Sequence, residues 1–105
     1  MAKAADYIED VRKYDAGADE AVVQKICNHL GIALTNRDSS LVSGSDQVEL
    51  DRVRDSWGVK KLGLDADVAA SHVKTVTGEM AGDRAKQRVT FYYLVAKHAG
   101  KLGDL

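Results

Sequence analysis

Residues Arg84 to Ala99 read RAKQRVTFYYLVAKHA, and the way this stretch is read decides the fold. It holds Phe91, Tyr92 and Tyr93, half of the aromatic residues in the chain, in a pattern that predicts one helix. At about 100° per residue, Ala85, Val89, Phe91, Tyr92, Tyr93, Leu94, Val95, Ala96, His98 and Ala99 cover most of the circumference. Only a strip of Lys86, Gln87, Thr90 and Lys97 is left polar. A helix that is apolar nearly all round cannot lie on a surface. It is either the central strut of a small helical domain or the seam between two copies.

The rest of the chain supplies elements to wrap it. Proline is absent, glycines punctuate apolar-periodic segments at Gly31, Gly44, Gly63, Gly82 and Gly100, and no stretch alternates with period two. The expected class is therefore all-α, a compact bundle of about five helices around a largely buried C-terminal helix, with residues 1–105 forming one domain. The first helix spans about Ala4 to Tyr14 and presents Tyr7, Ile8, Val11 and Tyr14. Asp19 caps the second, whose stripe of Val22, Val23, Ile26, Cys27 and Leu30 stops at Gly31. Asp46 and Glu49 have capping-box spacing at the start of a third, which carries Leu50, Val53 and Trp57 toward Leu62 and Gly63. Asp65 or Asp67 caps a fourth, lined by Val68, Ala69, His72, Val73, Val76 and Met80. The connection from Ile32 to Ser45 is long for so small a domain. It reads either as a binding loop or as a structural plug, with a short extra helical turn near 38–43 that holds Leu41 and Val42.

Charge is unevenly placed. Residues 1–51 carry ten acids and five bases, whereas residues 52–105 carry six acids and ten bases, so the halves complement each other within a chain or across a dimer. No apolar run approaches the roughly 20 residues needed to span a bilayer, and MAKAADYIED lacks the apolar core of a secretory signal. A cytoplasmic location, with no membrane partner, is expected. Cys27 cannot form an internal disulfide and reads as a small buried hydrophobe.

Motifs with chemistry fall short. From Asp38 to Glu49 the chain has the length of a calcium loop, but Val42 and Ser43 stand where an oxygen ligand and the turn glycine are needed. VVQKICNHLGI resembles the opening of a helix-turn-helix, but Arg37 occupies the position that should lock the second helix by an apolar side chain. Lys60, Lys61, Lys74, Arg84, Lys86 and Arg88 form a conceivable basic face for nucleic acid, an alternative set against a near-neutral pI. His29, His72 and His98 are not spaced as local metal ligands. Only a contact between His72 and His98 in the fold would make them a site. No catalytic, cofactor or metal residues are expected. The leading expectation is a non-enzymatic module acting on protein, its own copy included, with Trp57, Phe91, Tyr92 and Tyr93 as anchors. For Tyr92 and Tyr93 the competing reading is core packing, with hydroxyls that reach the surface or a carboxylate of the acidic half.

Three segments, MAKAADYIEDVRKYD, SDQVELDRVRDSWGVKKLGL and RVTFYYLVAKHAGKL, together resemble a family of short bacterial proteins catalogued only as a domain of unknown function. The most specific residues are Leu50, Val53, Leu62, Gly63, Phe91, Tyr92 and Tyr93. The resemblance covers nearly the full length and implies a compact, all-helical, stand-alone protein of the bacterial cytoplasm. It implies no activity, cofactor or site residue.

Overall fold

Phe91, Val89 and Val95 are fully buried, Tyr92, Tyr93 and Leu94 nearly so, and Thr90 from the expected polar strip is buried with them. A helix closed on all sides needs neighbours in every direction, and the computed structural model, which describes residues 3–105, provides them. Helix α1 is Ile8–Arg12, α2 is Glu20–Leu30 and α3 is Gln47–Val53, running straight into a π-helix at Arg54–Lys61. Helix α4 is Ala66–Glu79 and the central α5 is Arg88–His98. Short 3-10 turns at Ala4–Asp6, Gly31–Leu34 and Leu102–Asp104 complete the helical part. Helix α5 packs against α1, α2, α4 and the π-helix.

Local chemistry explains most boundaries. The Asp19 carboxylate accepts from the Ala21 amide at 2.8 Å and starts α2. Asp46 accepts from the amides of Val48 and Glu49 at 3.0 and 3.4 Å and starts α3. The capping box is only half made, because the Glu49 carboxylate turns away to Arg88. Gly63, at φ 71°, follows the π-helix in the left-handed region where a side chain would be strained.

The first helix, expected from Ala4 to Tyr14, is split into the 3-10 turn Ala4–Asp6 and α1, and Asp65 stands at the start of α4 without a side-chain capping bond. The bundle departs from the expected pattern in three further places. The last helix begins at Arg88 rather than Arg84: Lys86–Gln87 is a strand, β2, paired antiparallel with β1, Leu41–Val42. The extra helical turn near 38–43 is correspondingly replaced. Turn bonds close Asn36 to Ser40 and Asp38 to Leu41, and then the chain extends, so that Leu41 faces Gln87 and Val42 faces Lys86. Pairing with β2 satisfies the backbone that a helical turn would have left to water, and Val42 still plugs the core at 2 % exposure. The third difference is the π register of residues 54–61, closed by Leu62 N donating to Trp57 O at 2.9 Å.

The π-helix turns two adjacent residues inward at once. The Trp57 indole points to α5 and donates to the Tyr92 carbonyl at 2.9 Å, whereas Gly58 meets α4. A Cβ at position 58 would stand 2.6 Å from the Cβ of Ala69, so close helix contact, and not flexibility, requires this glycine. Gly58→Ala is expected to destabilise the protein by about 1–3 kcal/mol through overpacking. In a urea-denaturation double-mutant cycle, Gly58→Ala with Ala69→Gly should lose less than the sum of the single changes. Strict additivity would mean that this contact does not set the spacing of the helices.

Candidate functional site

Polar groups on a helix without a wet face must find partners inside the protein. Those of α5 find them in the acidic first half. Thr90 donates to Asp10, and Tyr93 donates to Asp15 at 2.6 Å. Tyr14, carried at the end of α1, donates to Asp83 at 2.5 Å on the connection between α4 and β2. Hydrogen bonding from Tyr93, helped by the Lys97 cation, lowers the Asp15 pKa, and bonding from Tyr14 does the same for Asp83. Burial and the carboxylate partner push the Tyr14 hydroxyl up to about 12 and raise Tyr93 as well.

Arg88, the first residue of α5, is the busiest of these groups. Its guanidinium pairs with Glu49, donates to the carbonyls of Ser39 at 2.7 Å and Leu41 at 3.1 Å, and lies over the Tyr92 ring at 5.8 Å. Its backbone amide donates to Ser40 at 2.8 Å. Glu49 also offsets an unfavourable placement, a cation at the positive end of a helix. The 32–45 segment, read as plug or binding loop, is thereby fastened to the N-terminal end of α5.

This geometry assigns the residues singled out from sequence. Trp57, Phe91, Tyr92 and Tyr93 all lie in the chain's own core, at 0, 0, 5 and 2 % exposure, so the apolar surface expected to anchor a partner is taken up by the chain itself. The basic set also divides. Arg88 is committed to Glu49, and Lys86 is buried at 9 % with its ammonium donating to the Asp83 carbonyl, so neither presents a charge to a phosphate backbone. Lys60, Lys61, Lys74 and Arg84 are exposed, but Lys74, Arg84 and Lys61 line three different clefts and make no single stripe. Cys27 is buried, its thiol pushed up to about 11 chiefly by burial, as befits a packing residue.

His72 and His98 do meet. Their rings are nearly parallel, with centroids 6.3 Å apart, and His98 Nε2 bonds to Glu79 Oε1 at 2.5 Å. The arrangement is ring on ring, with one nitrogen already occupied by a carboxylate. Among the described residues no group of three or more His, Cys, Asp or Glu is placed to hold a metal ion.

Several clefts open on the surface of the described residues, three of them well formed. One of about 440 Å³ lies between α3 and α4, lined by apolar Leu50, Ala70 and Val73 and by polar Gln47, Asp51, Arg54 and Lys74. One of about 540 Å³ runs beside the β1–β2 pair, where Arg52 and Arg84 alternate with Asp38 and Asp46. The third, of about 370 Å³, lies between α2 and the π-helix. Sequence reading missed all three, because each joins residues of separate helices, strands or connections whose relative placement follows from packing. No helix among the described residues is long and apolar enough to cross a membrane.

Two expectations follow from the inward-facing polar groups. Glu49→Ala should cost about 3–5 kcal/mol in urea denaturation, because it strands a largely buried guanidinium; a loss under 1 kcal/mol would show that Arg88 finds water instead. Stability should also fall at both ends of the pH range. Asp15 and Asp83 hold their protons more weakly in the folded chain, so their contribution is complete above the unfolded value of about 4 and is lost as pH falls through the lower folded values. Tyr14 holds its proton more tightly when folded. Its contribution is complete below the unfolded value of about 10 and is lost as pH rises toward about 12. Denaturation midpoints against pH should show both slopes, and Tyr14→Phe should flatten the alkaline one.

Among curated proteins none matches the chain. The family model described as Protein of unknown function (DUF2853) matches residues 6–103, and on that match the chain belongs to this family.

Proposed function

We propose that this chain is a non-enzymatic module that acts by protein contact, with the cleft between α3 and α4 as its contact site and a second copy of the chain as its first partner. The observation that carries this reading is the composition of that cleft: apolar Leu50, Ala70 and Val73 share it with polar Gln47, Asp51, Arg54, Lys74 and Thr77. Apolar side chains beside polar and charged ones are the composition of a protein contact, and about 440 Å³ is room for side chains of a partner. Val48, on the same helix α3, stays 62 % exposed and Ile32 87 %, so apolar side chains able to enter such a cleft are available on the chain itself. The carboxylates that could serve as acids or bases support the non-enzymatic reading, because Asp10, Asp15, Glu49 and Asp83 each hold a hydroxyl or a cation in place.

Light scattering over a concentration series tests this directly. The mass should rise from 11.4 kDa toward twice that value as concentration increases, and Ala70→Arg, which fills the cleft, should remain at 11.4 kDa throughout. A wild-type chain that stays at the monomer mass at millimolar concentration would overturn self-association.

A further inference from the structure

The cleft between α2 and the π-helix differs from the other two in charge. The α3–α4 cleft contains Asp51, and the cleft beside the strands contains Asp38, Asp46 and Glu49. The third is lined by Lys25, Asn28, His29, Trp57, Lys61 and Leu105, with no aspartate or glutamate side chain. Lys61 is carried one turn beyond Trp57 on the π-helix, and Lys25 lies one turn before His29 on α2. Among the described residues neither lysine has an ion pair or hydrogen-bond partner. Two ammonium groups without an ion-pair partner that line one concave surface, more charge than the main-chain carboxylate of Leu105 can offset, create a positive potential that an anion would relieve.

The cleft also has an aromatic wall. The His29 ring rests on the indole of Trp57, centroids 4.9 Å apart and planes 55° apart, and Trp57 itself is fully buried. One side of His29 is thus fixed by Trp57, while the residue as a whole stays exposed. Burial against the indole, and then the field of Lys61, lower the His29 pKa, which favours the neutral ring. A neutral ring held in place beside two cations suits a flat body attached to an anionic group.

We propose that this cleft binds a small anionic ligand, a phosphate or carboxylate attached to a flat organic body, with Lys25 and Lys61 receiving the charge and His29 the flat face. The site is separate from the α3–α4 contact surface, and each can fail without the other. Trp57 is the chain's single tryptophan and touches His29, so its fluorescence has one source, placed at the wall of this cleft.

The experiment titrates the intact chain with phenyl phosphate, benzoate and inorganic phosphate, following Trp57 emission and the His29 ring resonances. Phenyl phosphate, benzoate or both should give a saturable change with a millimolar or lower Kd, and the His29 pKa should rise on binding because the anion opposes Lys61. Lys25→Gln and Lys61→Gln should each raise Kd by about tenfold, the equivalent of about 1.4 kcal/mol, whereas Lys74→Gln in the α3–α4 cleft should change it less than twofold. A response that stays linear to 50 mM for every probe would overturn the site. So would unaltered binding in either cleft variant that retains the wild-type urea midpoint. Inorganic phosphate binding as tightly as phenyl phosphate would overturn the part assigned to His29. Saturation by only one of the two organic probes would show whether phosphate or carboxylate is the group received.

Discussion

A helix with no wet face obliges the rest of the chain to supply every polar partner it needs. Helix α5 brings Arg88, Thr90, Tyr92 and Tyr93 into the interior, and Asp10, Asp15 and Glu49 come in from the acidic half to meet three of them. Among the described residues no buried side-chain nitrogen or oxygen lacks a partner. The opposite signs of the two halves are therefore used within one chain. A buried donor or acceptor left unsatisfied costs roughly 1–3 kcal/mol, enough to make these few carboxylates as decisive for the fold as the apolar residues beside them.

Much of this was legible in the sequence because it depends on short-range pattern. The apolar circumference of residues 89–96 announced a buried helix, Asp19 and Asp46 announced the starts of α2 and α3, and a tyrosine hydroxyl reaching a carboxylate of the first half was one of the readings for Tyr93. What escaped depends on contacts distant in sequence. Leu41–Val42 and Lys86–Gln87 each offer two residues, too few for an alternating pattern, and only their mutual pairing makes them strands. The π register has the same composition as an α-helical one. The need for Gly58 comes from Ala69, eleven residues on, which packs against it.

The functional residues were harder to read, for a related reason. An aromatic side chain that must leave water does so equally well inside its own domain or inside a neighbour, and sequence records only the requirement. Trp57, Phe91, Tyr92 and Tyr93 met it at home. Similarly, a lysine or arginine near others in sequence reads as a basic patch. Arg88 instead fastens a loop, and the exposed cations separate into different clefts according to the rotation of their helices.

The long reach of the bonds around α5 has a consequence for the order in which the protein is made. Thr90 meets Asp10 across 80 residues of chain, Tyr93 meets Asp15 across 78, and Arg88 meets Ser39 across 49. During synthesis the amino-terminal half leaves the ribosome with its carboxylates unanswered, its connecting segment unclipped and its apolar faces uncovered. Only the arrival of α5, Arg88–His98, closes the structure. The nascent chain is consequently at its most vulnerable to proteases and to its neighbours until α5 has left the ribosome and reached these partners.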